Sequence, residues 1–257
     1  MKWFELLLWV YAPLLQLHAA SMHPDSSGFP LRYLINTSKV GMGPFIAGLM
    51  LWFGNYSAGS WQYLGLHGSY GLVWLLKDVA MPDNTFKQPV GPIAWFLTAV
   101  VLTSYHVLPY LMTAGLGDQS PSETKACICV AMYSLGLFLM IASDAQKTFT
   151  LRFKSGLIDD GLFARSRNPN YLGEVLIYSS FGVLVQHWLA WGLLIVVWSG
   201  LFVPLMLTKE RSLRKKQGWV DYSRRSWVFL PKLVAGSDTI TVALYALLAA
   251  AIVRALV

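Results

Sequence analysis

The chain has 257 residues, of which 55% are hydrophobic and only 13% are charged, and its formal net charge is +7. Soluble domains carry about a quarter charged residues, so this composition excludes an ordinary soluble enzyme and indicates a membrane protein. Cys127 and Cys129 lie together in one apolar run, and this spacing indicates neither a structural disulfide nor a metal site.

Eight stretches in chain order are candidates for membrane-spanning helices, which need about 20 mostly apolar residues. They are residues 3–20, 43–57, 62–80, 92–114, 125–143, 173–187, 188–207 and 239–256. The second is short, and the first could instead be a cleaved signal peptide, although Glu5 within it favours an uncleaved span. A turn is expected near Gln186 and His187, between the sixth and seventh. The sequence therefore predicts one all-α domain over 1–257, a polytopic integral membrane helical bundle of roughly seven to eight transmembrane helices.

Basic residues set the expected orientation. Five lie in 147–167 and eight in 209–232, which together make 13 of the 20 Lys and Arg. Two predicted spans separate these segments, so both face the same side, and their positive charge indicates the cytoplasm. The basic loops 144–172 and 208–238 are thus expected in the cytoplasm, in contact with membrane lipids rather than nucleic acid.

Polar residues follow one face of the predicted third span. His67, Tyr70, Trp74, Lys77 and Asp78 are spaced as neighbours on one side of a helix. Ionisable groups at membrane depth cost several kcal/mol unless they are paired or hydrated, which favours a functional role. The alternatives are a packed His67 and snorkelling of Lys77 and Asp78 at a helix end.

Carboxylates lie at two other predicted helix ends. Glu174 opens the sixth span, where an anion complements the helix dipole. Asp144 lies with Lys147 at the end of the fifth span, where an anion is unfavourable, so Asp144 is expected to have a cationic or hydrogen-bonding partner. No dinucleotide-binding or phosphate-loop motif is present in the sequence, so a nucleotide would have to bind among helices.

Three segments resemble a known superfamily: SDAQK, GLIDDGLFARSRNPNYLGE and ERSLRKKQGWVDYSRRSWVFLPKL. Together they are similar to the C-terminal half of the steroid 5α-reductase and sterol reductase families, over about 140–232. The same superfamily includes isoprenylcysteine carboxyl methyltransferase and the phospholipid methyltransferases. The resemblance implies a cofactor site in 140–232, at the cytoplasmic ends of the last helices.

The reductase branch is the better match. The methyltransferases carry Arg-His-Pro-x-Tyr-x-Gly, whereas here Asn168 replaces the histidine and Glu174 follows Gly173. The pair Ser143-Asp144 also resembles the 5α-reductase pattern. This branch implies NADPH, whose phosphates require several cations, and the reduction of a carbon–carbon double bond in a lipophilic sterol-, enone- or polyprenyl-like substrate.

The resemblance implies a set of site residues in this chain. Tyr70 or His67 would be catalytic, polarising the substrate carbonyl or donating the second proton. The implied cofactor-binding residues are Asp144, Lys147, Arg152, Arg165, Arg167, Asn170, Tyr171, Glu174, Glu210, Arg214 and Tyr222. Endoplasmic reticulum is expected by analogy with the relatives.

Two alternatives stay open. The chain could be a membrane methyltransferase that uses S-adenosylmethionine on a lipid or prenylated substrate, with Asp144, Glu174 or Glu210 binding the amino group of the methyl donor. It could also be a non-enzymatic membrane scaffold or lipid-binding protein, since relatives of the sterol reductases can lose activity.

Overall fold

A computed structural model describes residues 2–256. The first elements in chain order are α1 (Lys2–Val10), α2 (Ala12–Ser21), β1 (Pro24–Pro30), α3 (Leu31–Phe53), α4 (Ala58–Ala80), α5 (Asn84–Lys87), β2 (Pro89–Val90), α6 (Pro92–Ser104) and α7 (Val107–Thr113). The remainder are α8 (Glu123–Phe153), a 3-10 turn (Gly161–Phe163), α9 (Pro169–Val185), α10 (Trp188–Val197), a π-turn (Trp198–Phe202), α11 (Val203–Leu213), α12 (Trp219–Arg225) and α13 (Asp238–Leu256). The predicted helical class is confirmed, and the short strands β1 and β2 pair antiparallel.

The chain divides into two compact units. Unit 1 comprises the chain through Pro121 together with Phe181–Leu207, and unit 2 comprises Ser122–Ser180 together with the chain from Thr208 onward. One boundary precedes α8, and the other two fall inside α9 and inside α11. The predicted catalytic residues belong to unit 1 and the predicted cofactor-binding residues to unit 2.

Three helices among the described residues are long and apolar enough to cross a membrane. They are Pro92–Thr113, Glu123–Phe153 and Trp188–Leu213. Each contains most or all of one predicted span, and a shorter apolar helix, Asp238–Ala251, overlaps the predicted last span. The structure is consistent with a membrane protein, but it does not support the predicted count of seven to eight spans.

Two of the remaining predicted spans, both near the N-terminus, do not form single helices with the predicted bounds. Residues 3–20 form two short helices that are separated at Tyr11. Residues 43–57 are not a separate helix, because α3 begins at Leu31 and carries Lys39 in its first half. The predicted span started at residue 43 because the first half of α3 is more polar than its second half.

Two others are helices of limited length or hydropathy. The stretch 62–80 lies inside α4, where Lys77 and Asp78 lower its hydropathy. The stretch 173–187 falls largely inside α9, which has 17 residues and ends at Val185. Both helices exist, but neither is both long enough and apolar enough to count as a membrane-spanning helix.

The predicted turn between α9 and α10 is confirmed. Gln186 has a φ of 52°, a left-handed conformation that a continuing helix does not permit. His187 then caps α10, since its Nδ1 accepts a hydrogen bond of 3.1 Å from the Leu189 amide.

Helix α8 extends further than predicted. It has 31 residues and ends at Phe153, ten residues beyond the predicted end at 143. Asp144 and Lys147 therefore lie inside a helix, and the premise that Asp144 is at a C-terminus was wrong. Alternating apolar and polar side chains in these last turns lower the hydropathy without interrupting the helix.

In unit 1, α3 and α4 pack at backbone distance. A Cβ at Gly68 would lie 3.4 Å from the Gly43 Cα, and one at Gly71 would lie 2.0 Å from the Lys39 carbonyl oxygen. Only glycine permits this approach, as in other close helix crossings. It brings polar side chains of the two helices into direct contact.

In unit 2, two polar segments are joined by hydrogen bonds. The Arg167 amide donates 2.9 Å to the Trp227 carbonyl, and the Trp227 amide donates 3.1 Å to the Arg165 carbonyl. The side chains of Ser166 and Asn168 donate to main-chain carbonyls of residues 229 and 228. This pairing fixes the loop before α9 against the loop after α12.

Candidate functional site

A buried ion pair lies at the centre of the polar part of unit 2. Arg167 Nε donates 2.9 Å to Glu210 Oε2, and Nη2 donates 3.1 Å to Oε1. Arg167 is 5% exposed and Glu210 is 2% exposed. Arg167 Nη1 also donates 3.0 Å to Ser226 Oγ and contacts the Ser226 carbonyl oxygen. The bidentate pair thus joins α11 to both loops, in the geometry that makes such pairs strong.

Tyr222 joins α12 to the 3-10 turn of the same unit. Its hydroxyl donates 2.8 Å to the Phe163 carbonyl oxygen, and its side chain is buried. Burial is the main cause that raises the pKa of the Tyr222 phenol, although the nearby Arg167 opposes it. Tyr222 is therefore a neutral hydrogen-bond donor at physiological pH.

A cavity of about 210 Å³ lies beside this ion pair in unit 2. Its lining combines aliphatic, aromatic and cationic side chains: Lys147, Leu151, Gly156, Ile158, Phe163, Arg167, Lys209, Ser212, Leu213, Lys216 and Tyr222. Four of these residues are basic, and no acidic residue is among them. The lining is therefore suited to an anion.

Two of the cavity lysines are oriented by main-chain carbonyls. Lys209 Nζ donates 2.7 Å to the Arg167 carbonyl oxygen, and Lys216 Nζ donates 2.6 Å to the Gly156 carbonyl oxygen. A carbonyl orients an ammonium group without neutralising its charge, and each ammonium has three donors. Lys209 and Lys216 consequently keep donors available for a ligand.

The cavity gathers part of the predicted cofactor set. Lys147, Arg167 and Tyr222 line it. Glu210 does not line the cavity but binds Arg167, which does. Arg214 Nη2 lies 4.0 Å from Glu210 Oε1.

The other predicted cofactor residues are not among the lining residues. Arg152 is exposed and lies over the Phe149 ring at 5.0 Å, and Arg165 is exposed. Asp144 is half-buried inside α8, so its predicted need for a cationic partner at a helix C-terminus no longer applies.

Three more predicted residues lie in the first turns of α9. Asn170, Tyr171 and Glu174 are half-buried. Within the described part of the chain, Asn170 Oδ1 is a buried atom without a hydrogen-bond partner. Contact of these three residues with a cofactor stays a prediction.

The predicted catalytic residues are buried in unit 1. His67 is 2% exposed, with Nδ1 2.9 Å from the Tyr63 hydroxyl oxygen and its ring stacked at 4.3 Å on Phe181. Tyr70 is fully buried and its hydroxyl oxygen accepts a 3.2 Å hydrogen bond from Lys39 Nζ. Their catalytic role stays a prediction, but both side chains are held in fixed positions.

Sequence reasoning missed two polar residues, Lys39 and Lys209. Lys39 follows Arg32 and Asn36 at intervals of seven and three, which places all three on one helix face, and this spacing was a usable signal. Lys209 directly precedes Glu210 in a basic run, and nothing in the sequence distinguishes it from neighbouring exposed cations.

The apolar helices are consistent with a membrane protein, and the comparisons give its family. A family model described as "Protein of unknown function (DUF1295)" matches residues 83–225, more than half of the chain. The chain therefore belongs to this family, which is associated with steroid 5α-reductase-like proteins.

One curated relative was found in fission yeast. It is an uncharacterized protein of Schizosaccharomyces pombe (strain 972), 23% identical over 128 residues, which are 46% of this chain and 46% of the relative. The match thus spans about half the length of the relative. No solved structure matches this chain.

Proposed function

We propose that the protein is a membrane reductase that uses NADPH to reduce a carbon–carbon double bond in a lipophilic enone-, sterol- or polyprenyl-like substrate. The observation that carries this proposal is the cavity of unit 2, whose lining has four basic side chains and no acidic residue. NADPH carries a diphosphate and a 2′-phosphate, and Lys and Arg in a partly desolvated pocket are the usual phosphate ligands.

The size of the cavity limits what it can hold. At about 210 Å³ it is smaller than the roughly 300–1,000 Å³ typical of pockets for drug-sized ligands. The cavity therefore fits a phosphate-bearing part of the cofactor, and the remainder would lie outside it. Lys209 and Lys216 would bind the phosphates, while Arg167 is engaged with Glu210 and Ser226.

The chemistry divides between cofactor and chain. Bound NADPH supplies the hydride, and Tyr70 donates the proton from its hydroxyl group. Burial of Tyr70 and His67 excludes water and holds the proton donor in place. A polytopic arrangement with both basic segments in the cytoplasm gives the cavity access to cytosolic NADPH, and by analogy the membrane is that of the endoplasmic reticulum.

The methyltransferase alternative has less support. S-adenosylmethionine is cationic at sulfur and needs an acid for its amino group. Glu210, one of the acids expected to serve, has both carboxylate oxygens bonded by Arg167, and the cavity lining contains no acidic residue.

The first test is ligand-induced stabilisation of the detergent-purified protein. A ligand that binds the folded state at 100 times its Kd stabilises it by about 2.7 kcal/mol. NADPH should raise the melting temperature and S-adenosylmethionine should not. A rise with the methyl donor alone contradicts the proposal, and the absence of a rise with either supports a scaffold.

A pair of variants localises the effect. Lys216→Met removes a cavity cation, and Lys215→Met removes the neighbouring exposed cation, which does not line the cavity. The rise with NADPH should shrink only in Lys216→Met. Equal responses of the two variants would place the nucleotide elsewhere.

The second test identifies the reaction without knowledge of the substrate. Lipids of cells that express the protein are compared by mass spectrometry with lipids of cells that do not. A reductase yields products that are heavier than their precursors by two hydrogen atoms, whereas a methyltransferase yields products heavier by one CH2 group.

A further inference from the structure

A lysine of α3 is buried among the aromatic rings of α4. Lys39 is 9% exposed. Its Nζ lies 4.4 Å from the Tyr70 ring centroid and 4.8 Å from that of Trp74, with Tyr105 at 6.0 Å. The same Nζ donates 3.2 Å to the Tyr70 hydroxyl oxygen. The residue that was predicted to donate a proton therefore has an ammonium group directly beside its oxygen.

This placement is energetically demanding. A buried ammonium group loses its hydration, and the faces of the Tyr70 and Trp74 rings offset part of that loss. The helix pair does not need Lys39 as a polar connection, because Arg32 of α3 already binds Asp78 of α4 at 2.7 Å. Asn36 donates to the same Asp78 oxygen.

The hydrogen-bond direction bears on catalysis. Since Lys39 donates to the Tyr70 oxygen, the phenolic hydrogen of Tyr70 points away from Lys39. When Tyr70 gives up this proton, negative charge develops on an oxygen 3.2 Å from the ammonium group. A fixed cation at the position where charge develops lowers the barrier.

We propose that Lys39 is a positioning residue for proton donation by Tyr70, an inference that rests on the proposed reductase function. A hydride supplied by bound NADPH would add to the β-carbon of the enone, the C=C electron pair would form the double bond of an enolate, and the carbonyl π pair would move to oxygen. That oxygen takes the phenolic proton, and the enol tautomerises to the saturated carbonyl. Lys39 stabilises the phenolate until a proton from bulk solvent restores the phenol after the product has left, so the net reactants are NADPH, one proton and the enone.

The test uses cells that express the full chain and measures the product that is heavier by two hydrogen atoms. Lys39→Met keeps the length and apolar stem of the side chain but removes the charge, and it should lower product formation at least tenfold. Lys39→Arg retains the charge and the donor and should restore most of it. Lys77→Met is the matched control, because Lys77 also lies over the Trp74 ring, at 4.5 Å, and it should form product normally.

The double variant separates this role from a structural one. If Lys39 acts through Tyr70, Lys39→Met/Tyr70→Phe should form as much product as the poorer single variant, whereas independent effects would multiply. The rise in melting temperature with NADPH should equal that of the wild type in every variant, which also verifies folding.

Three results would overturn the inference. They are normal product formation in Lys39→Met, a multiplied loss in the double variant, and a loss of product that accompanies a lost NADPH response. If Lys39→Met fails to fold, the inference is overturned when Lys39→Arg forms no more product than Tyr70→Phe. An absence of reduced product in the wild type would instead refute the reductase proposal itself, and this inference with it.

Discussion

Gly71 of α4 lies against the main-chain carbonyl oxygen of Lys39 in α3, so closely that a Cβ at residue 71 would be 2.0 Å from that oxygen. Gly71→Ala should therefore separate the helices and lower the free energy of unfolding by about 1–3 kcal/mol, the usual effect of overpacking. Gly65→Ala is the control, since its Cβ would meet nothing within 4 Å. Denaturation in detergent should show a lower free energy of unfolding for Gly71→Ala only. Equal stability of the two variants would contradict the close crossing.

The Arg167–Glu210 pair should show strong energetic coupling. Removal of one partner leaves a buried charge and typically costs about 3–5 kcal/mol. Arg167→Met and Glu210→Leu are each expected to destabilise the protein in that range, and the double variant should lose much less than the sum. Additive losses in denaturation would show that the two side chains do not interact.

An exposed ion pair in the same unit supplies the comparison. Arg225 binds Asp159, and their side chains are 46% and 41% exposed. Solvent screens such pairs, which contribute about 0–1 kcal/mol. Arg225→Met should accordingly change the free energy of unfolding by less than about 1 kcal/mol, and a loss as large as that of Arg167→Met would contradict this ranking.

Tyr222 should make stability depend on alkaline pH. Because its pKa in the folded protein is raised by burial, its contribution is fully present below the unfolded pKa of about 10 and is lost as the pH rises from there through the folded pKa. Tyr222→Phe removes this ionisation and also the 2.8 Å hydrogen bond to Phe163, at a cost of about 1 kcal/mol. The difference in stability between wild type and variant should shrink above about pH 10, and a constant difference would contradict the assignment.

The cavity should bind phosphate groups without the rest of a nucleotide. Inorganic pyrophosphate, at a concentration well above its Kd, should raise the melting temperature of the purified protein through mass action. Lys209→Met should reduce this rise, because Lys209 lines the cavity. If NADPH stabilises the protein but pyrophosphate does not, the cofactor phosphates bind outside the cavity.

Local sequence signals predicted local structure well. The polar pair Gln186-His187 between two apolar runs indicated a turn, and it is one, because a left-handed residue and a capping histidine end one helix and start the next. The helical class also followed from composition. Helix ends were less predictable, since hydropathy falls at Asp144 although α8 continues to Phe153.

Contacts between distant residues were not predictable from one sequence. Arg167 and Glu210 were both chosen as cofactor ligands, yet they bind each other across 43 positions, and no local pattern records that pairing. The position of Lys39 on a polar helix face could have been predicted from its spacing, but its contact with Tyr70, 31 residues away in another helix, could not.

The length of α8 relates the cavity to the thickness of the bilayer. Its 31 residues correspond to about 46 Å at 1.5 Å per residue, whereas the hydrocarbon layer is about 30 Å thick. A membrane segment that starts at Glu123 would end near residue 142, so the cavity residues Lys147 and Leu151 emerge one to three turns beyond it, at the height of the lipid headgroups. In a thicker bilayer these turns would lie in hydrocarbon, so we expect ligand access to the cavity to depend on lipid chain length.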